Sequence, residues 1–194
     1  YEGFPLEVRD ALDAKTWSMM ANAANLKITD PEGTDLEFTY SREDWDRFTA
    51  RNLKRGGKPY LPGHLQVPAP CQRIEGQLAT SSITFGGPVP RTTMTISKGQ
   101  VVKVKGGGKF GRTLTESFAK HSAVSMPRYP GLGVNWISTL ALCTHPKAMR
   151  SPDADGLAGS GRIHSWTSGH WRSGWIHLSI GGGIVSDKYK VIRH

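Results

Sequence analysis

Three of the seven histidines in this 194-residue chain lie close together near its C-terminal end. His164, His170 and His177 fall within residues 159–183, a stretch rich in glycine, serine and tryptophan. Histidine is the commonest metal ligand among side chains, and its pKa also suits it to acid–base chemistry. Glycine allows backbone conformations that bring such side chains together. The stretch therefore predicts a metal site, and a structural, hydrogen-bonded role for each histidine is the alternative.

A further histidine, His64, lies in a segment stiffened by prolines, residues 61–70. The prolines exclude a regular helix and restrict any strand there to the edge of a sheet. An imidazole in so stiff a segment has a well-defined position. His64 is therefore a fourth candidate ligand.

Composition narrows the class of protein. Hydrophobic residues make up 37% of the chain, with 23 glycines and 12 prolines, which favours short strands and many turns. Two cysteines are too few for a disulfide framework, so a reduced, cytoplasmic setting is expected. No segment is apolar enough to span a membrane. The net charge is +9, but the basic clusters lack the interleaved aromatic residues of a platform for single-stranded nucleic acid. The charge therefore indicates a solvated basic face or an acidic partner subunit.

Approximate helical periodicity occurs near the start of the chain. Residues 7–25 are predicted to form a helix, and residues 113–121 another. Ser41 is expected to cap a short helix that ends near Phe48, with Asp44 as its partner, and residues 51–62 are expected to form a loop. Gly106 to Gly108 is interpreted as a flexible turn, because it lacks the pattern of a phosphate-binding loop. The apolar stripe predicted for the first helix consists of Leu6, Ala11, Trp17, Met20 and Ala24.

Alternating polar and apolar residues predict strands over much of the remaining chain. The predicted strands cover residues 26–29, 36–40, 76–84, 92–96, 100–105, 137–142 and 175–184. The first two are separated by a turn and form a hairpin. We therefore expect one α+β domain over residues 1–194, with a helical lead-in at 1–25 and a strand-rich, mainly antiparallel sheet.

Several short motifs occur in a characteristic order, at residues 33–38, 61–70, 74–76, 99–106, 140–147, 161–164 and 175–181. This succession resembles the C-terminal half of the thermophilic metallo-aminopeptidases, the aminopeptidase T family. The resemblance runs from about residue 24 to residue 183. It implies the strand-rich metal-binding domain of that family, without the α/β domain that precedes it there.

The resemblance also indicates ligand positions. The peptidases hold two metal ions with two glutamates, two histidines and an aspartate. At the matching positions this chain has His64, Thr139, His164, His177 and Ser179. Three carboxylates are thus replaced, and a dinuclear centre would lack the anionic ligands that bridge its ions. The related 2,5-dihydroxypyridine dioxygenases bind one iron(II) through two histidines and an aspartate.

By this resemblance, His64 and His177 match the two histidine ligands of a mononuclear iron(II) site. His164 is the expected third ligand. The alternative third ligands are His170 and a carboxylate such as Asp187. The remaining alternative is that the chain has lost metal binding. If it is not a ligand, His170 is the expected catalytic acid or base. The tryptophans expected to line an aromatic pocket are Trp166, Trp171 and Trp175.

The function implied is that of a subunit or domain of a non-haem iron dioxygenase, which cleaves a hydroxylated aromatic or heteroaromatic ring with O2. One alternative is an aminopeptidase-like hydrolase that uses zinc or cobalt. The other is a non-catalytic partner subunit that reuses the same fold. In each case we expect an oligomer, in which a second subunit supplies the N-terminal domain missing from this chain.

Overall fold

A computed structural model describes residues 4–56, 63–70, 72–83, 87–127, 129–144 and 176–181. This part of the chain contains three helices and eight strands, and the strands form two antiparallel sheets. The expected α+β, strand-rich class is therefore confirmed. None of the three described helices is long and apolar enough to cross a membrane. The elements are α1 (Leu6–Met20), β1 (Asn25–Thr29), β2 (Asp35–Thr39), α2 (Arg42–Gly56), β3 (His64–Val67), β4 (Ile74–Ile83), β5 (Gly87–Ser97), β6 (Gln100–Gly106), α3 (Gly108–Lys120), β7 (Ile137–Cys143) and β8 (Ile176–Ile180).

The larger sheet has the strand order β1-β2-β4-β5-β6. Side chains alternate between its two faces, so that one face is apolar and the other is polar and exposed. In β2, for example, Leu36 and Phe38 are fully buried, whereas Asp35, Glu37 and Thr39 are exposed. The hairpin predicted from the first two alternating segments is confirmed as β1 and β2.

The smaller sheet has the strand order β3-β7-β8. Strand β3 is four residues long and lies at an edge, which confirms the position that the surrounding prolines predicted. Leu65 and Val67 of β3 and Leu140 of β7 are buried in the hydrophobic core. One face of this sheet is therefore part of the protein interior, and His64 and His177 lie on the other face.

The two sheets are joined where β6 and β7 begin. The Val101 N–H donates to the Asn135 carbonyl, and the Ile137 N–H donates to the Gly99 carbonyl, each at 2.8 Å. The apolar faces of both sheets contribute to one hydrophobic cluster. This shared core fixes the strands that carry the two histidines relative to the rest of the described chain.

Helix α1 differs from its prediction in length and in its buried face. It ends at Met20, and Asn22 then takes the left-handed conformation (φ 70°) that commonly terminates helices. Leu6, the first residue of the predicted apolar stripe, is 60% exposed, whereas Asp13 is fully buried. The predicted stripe is thus right at Met20, which is buried, and at Trp17, which packs against the core, and wrong nearer the start of the helix. There Asp13 takes the inner position, because hydrogen-bond donors in the interior allow its carboxylate to be buried.

Helix α2 begins as predicted. The Asp44 N–H donates to the Ser41 hydroxyl, and the Asp44 carboxylate accepts from the Ser41 N–H in return. This reciprocal arrangement is a capping box. Arg73, which precedes β4, also donates to the Asp44 carboxylate and ties the helix start to the larger sheet.

The same helix is longer than expected, because it continues to Gly56 through the first part of the predicted loop. Lysine and arginine are good helix formers, and a basic segment need not be a loop. Two ion pairs between residues four apart support the first half of the helix. They are Arg42–Asp46 and Glu43–Arg47.

Helix α3 begins at Gly108, five residues before the predicted start at Thr113. The glycines at this point allow the helix to approach the sheet closely. A Cβ atom on Gly111 would lie 2.1 Å from the carbonyl oxygen of Gly106. The glycine-rich segment is therefore a tight turn whose sequence is explained by helix–sheet packing.

Candidate metal centre

The face of the smaller sheet that points away from the core is mostly polar. His64 of β3 lies opposite Cys143 of β7, and His177 of β8 lies opposite Ala141 of β7. Because alternate residues of a strand share a face, the register defines one set of side chains, which we call the imidazole face. It consists of His64, Gln66, Thr139, Ala141, Cys143, His177 and Ser179.

The two histidines belong to the outer strands, yet their rings meet over the central strand. Their centroids are 5.4 Å apart and their planes cross at 88°. Ala141, on the central strand between them, has only a methyl group, which leaves room for this approach. A metal–nitrogen bond of about 2.1 Å places a ring centroid roughly 3.2 Å from the ion, so rings that share an ion have centroids about 4.5–5.5 Å apart. The separation of His64 and His177 fits a shared ion.

The protonation state of His177 also suits ligation. Burial lowers the pKa of this imidazole below its usual value, so the ring is neutral at pH 7 and retains a lone pair. Its Nε2 atom lies 2.9 Å from the Ser179 hydroxyl, two residues further along β8. A metal ion bound through Nε2 would have to replace this hydrogen bond. Ser179 is therefore a neighbour that competes for the nitrogen.

The positions that the resemblance marked as ligand positions converge in part. Strand register places His64, Thr139, His177 and Ser179 together on the imidazole face. His164, the fifth position, lies outside the described residues. The same is true of the candidate acid–base residue His170, of the alternative ligand Asp187, and of Trp166, Trp171 and Trp175.

These residues fit a mononuclear site better than a dinuclear one. The imidazole face carries two imidazoles and no carboxylate, whereas a dinuclear site needs bridging anionic ligands. Within the described ranges, no group of three or more His, Cys, Asp or Glu side chains is arranged to hold a metal ion. His64 and His177 could thus supply two of the ligands of a mononuclear site.

Cys143 is a poor candidate for nucleophilic chemistry. Its side chain is buried, and burial raises the pKa of its thiol to about 11. The thiol therefore stays protonated near neutral pH, and the thiolate is the form that reacts or binds metals. Cys143 serves as a small apolar residue opposite His64.

Asp13 is a residue near the site that the sequence analysis missed. Its side chain is fully buried, although it belongs to α1 and not to the smaller sheet. One carboxylate oxygen accepts a 2.8 Å hydrogen bond from the Gly63 N–H, and the other accepts one from the Thr144 hydroxyl. Gly63 directly precedes His64, and Thr144 directly follows Cys143. Asp13 therefore connects α1 to the end of the sheet where His64 lies.

No family model matches the chain, and no curated protein matches it significantly. The solved structure of 2,5-dihydroxypyridine dioxygenase from Pseudomonas putida KT2440 is similar over 79% of this chain, with a TM-score of 0.49 and 18% sequence identity. The chain spans 45% of the length of that structure. This is a weak similarity of fold.

Proposed function

We propose that the chain is the metal-binding part of a mononuclear non-haem iron enzyme, which cleaves a hydroxylated aromatic or heteroaromatic ring with O2. The observation that carries this proposal is the contact between His64 and His177, whose ring centroids are 5.4 Å apart. Non-haem iron(II) oxygenases bind their metal through a small facial set of protein ligands and keep other coordination positions open. Two imidazoles on one sheet face supply most of such a set.

In this proposal His64 and His177 hold the ion, and His164 is the third protein ligand. A bound iron(II) would supply open coordination positions for the ring hydroxyl groups and for O2. The imidazole face has no carboxylate to bridge a second ion, which favours this function over a peptidase-type dinuclear hydrolase.

The remaining residues of the imidazole face would bind and orient the ring. Gln66 and Thr139 are half-buried and can donate hydrogen bonds to a hydroxylated substrate. Ala141 and Cys143 are buried beside them and provide apolar surface. We further propose that His170 holds or transfers a proton during the reaction. Trp166, Trp171 and Trp175 would line the aromatic pocket, and the chain would act as part of an oligomer.

Metal binding by histidine variants tests the proposal. The full 194-residue chain is loaded with iron(II) under anaerobic conditions, and its metal content and affinity are measured. We expect about one ion per chain in the wild type, and His64→Ala or His177→Ala to weaken binding by more than about 100-fold, beyond the usual effect of losing an outer-shell partner. His121→Ala is the matched control, because His121 lies at the end of α3 and its ring contacts the Ser117 carbonyl.

Activity then separates the functions. Consumption of O2 with hydroxylated pyridines or benzenes by the iron-loaded chain supports the dioxygenase. Hydrolysis of amino-acid amides by the zinc- or cobalt-loaded chain, without O2 consumption, would identify the hydrolase instead. A wild-type chain that binds no metal, or His64→Ala and His177→Ala variants that bind it normally, would contradict the proposal.

A further inference from the structure

The buried carboxylate of Asp13 needs a physical explanation. A carboxylate is stable in the interior only when its oxygens accept hydrogen bonds, because otherwise the loss of hydration is not compensated. Both oxygens of Asp13 meet this requirement, through the Gly63 N–H and the Thr144 hydroxyl. The structure records no ion pair for Asp13 within the described ranges. Its place in the fold is thus defined by these two donors.

The two donors belong to Gly63 and Thr144, which face each other across the ends of β3 and β7. The Thr144 N–H donates to the Gly63 carbonyl at 3.2 Å, directly beyond the pairing of His64 with Cys143. The Asp13 carboxylate accepts one hydrogen bond from each of these two residues. The carboxylate therefore holds the ends of β3 and β7 together and attaches them to α1.

This end of β3 lies at the margin of the smaller sheet. The strand is four residues long, lies at the sheet edge, and has His64 as its first residue. Gly63, just before it, has a positive φ of 76°, which glycine adopts readily but which does not continue a strand. Short edge segments of this kind open locally at low free energy. The bonds that Gly63 and Thr144 make therefore help to fix the backbone of His64.

We propose that Asp13 is a positioning residue for His64. By fixing Gly63 and Thr144, Asp13 keeps His64 in register with Cys143 and its ring against His177. The consequence for metal affinity rests on the proposed function, whereas the consequence for contact between the two rings does not.

Two substitutions separate hydrogen bonding from charge. Asp13→Asn keeps both contacts, since its amide oxygen accepts from Gly63 and its amide N–H donates to the Thr144 oxygen. Asp13→Ala removes both contacts. Met20→Ala is the control for general destabilisation, because Met20 is a buried apolar residue of the same helix and belongs to the hydrophobic core.

The measurements are the nuclear Overhauser effect between the ring protons of His64 and His177 in the metal-free full chain, and its affinity for Zn²⁺ alone. We expect Asp13→Ala to lose the effect and to bind Zn²⁺ at least tenfold more weakly, in the range known for partners that orient ligands. Asp13→Asn and Met20→Ala should keep the effect and remain within about threefold of wild-type affinity, well below that range.

Retention of both properties in Asp13→Ala would overturn the proposal, as would an equal loss in Met20→Ala. If Asp13→Ala does not fold, Thr144→Val decides, because it removes one of the two donors with little change of shape. A wild-type ring contact and affinity in Thr144→Val would then refute the proposal. A wild-type chain that shows the ring contact but binds no Zn²⁺ refutes the proposed function instead, and the nuclear Overhauser comparison still tests Asp13.

Discussion

The Ser179 hydroxyl lies 2.9 Å from Nε2 of His177, on the same face of β8. A metal ion that binds through Nε2 must break this hydrogen bond, and the loss of the bond makes metal binding less favourable. A hydrogen bond of this kind contributes about 0.5–1.5 kcal/mol, so we expect Ser179→Ala to bind iron(II) about two- to twelvefold more tightly. Titration of the full chain with iron(II) measures the change.

A carboxylate at the same position should have a larger effect. Ser179→Asp adds an anionic ligand to the two imidazoles and completes a two-histidine, one-carboxylate set. We expect its affinity for iron(II) to exceed that of Ser179→Ala. Thr95→Ala, on the exposed polar face of the larger sheet, is the control and should bind as the wild type does. Weaker binding in both Ser179 variants would show that the hydroxyl itself contributes to the site.

Acid should destabilise the fold through His177. Burial lowers the pKa of the folded group below its usual value of 6.5, so the unfolded chain binds the proton more readily. The stabilisation is complete at pH values above the pKa of His177 in the unfolded chain. It is lost as the pH falls through the lower pKa of His177 in the folded protein. Urea unfolding at pH 7.5 and pH 5.0 should show a larger decrease in unfolding free energy for the wild type than for His177→Gln. Equal decreases in the two proteins would contradict this assignment.

Tyr40 has a buried hydroxyl without a hydrogen-bond partner in the described part of the chain. Burial and the nearby Asp44 charge raise its pKa, so the hydroxyl stays protonated. Its ring packs on Trp45 with centroids 5.0 Å apart. Tyr40→Phe keeps the ring and removes the unsatisfied group, and we expect the unfolding free energy to rise by about 1 kcal/mol. Destabilisation on urea unfolding would show that the hydroxyl has a partner.

Asp44 should contribute more to stability than a comparable surface carboxylate. Burial alone would raise its pKa, but hydrogen bonds from Ser41 and Arg73 and the Arg73 charge hold the pKa below its usual value. Asp44→Ala removes the capping box, and we expect it to lower the unfolding free energy by about 1–2 kcal/mol. Asp46→Ala, which removes only an exposed pair with Arg42, should cost about 0.3–0.5 kcal/mol. Equal effects on the denaturant midpoint would contradict the capping role.

Features that depend on local chemistry were predictable from the sequence. Proline confines β3 to a sheet edge, alternation identifies β1 and β2, and the Ser41–Asp44 spacing identifies the start of α2. The length of α2 was not predicted, since arginine and lysine occur in loops and helices alike, and the choice depends on the surrounding fold.

The face of α1 and the geometry of the site depend on distant parts of the chain. Asp13 is buried because Gly63 and Thr144 offer donors to it, and periodicity contains no information about these donors. The one available signal was that Asp13, Trp17 and Met20 follow helical spacing, so that a carboxylate occupies an otherwise apolar row. Alternation places His177 in a predicted strand, and the prolines restrict any strand at His64 to a sheet edge, but only the register with β7 brings their rings together.

The two sheets differ in how far apart in the chain their strands lie. In the larger sheet β1 and β2, β4 and β5, and β5 and β6 are consecutive, whereas β3 and β7 of the smaller sheet are separated by three other strands. Contacts between distant segments form slowly, because a long loop must close first. The hairpins of the larger sheet should therefore form early during folding, and the pairing of β3 with β7 late. A ligand held by His64 and His177 would then act after the folding transition state, so that it slows unfolding and leaves the rate of folding almost unchanged.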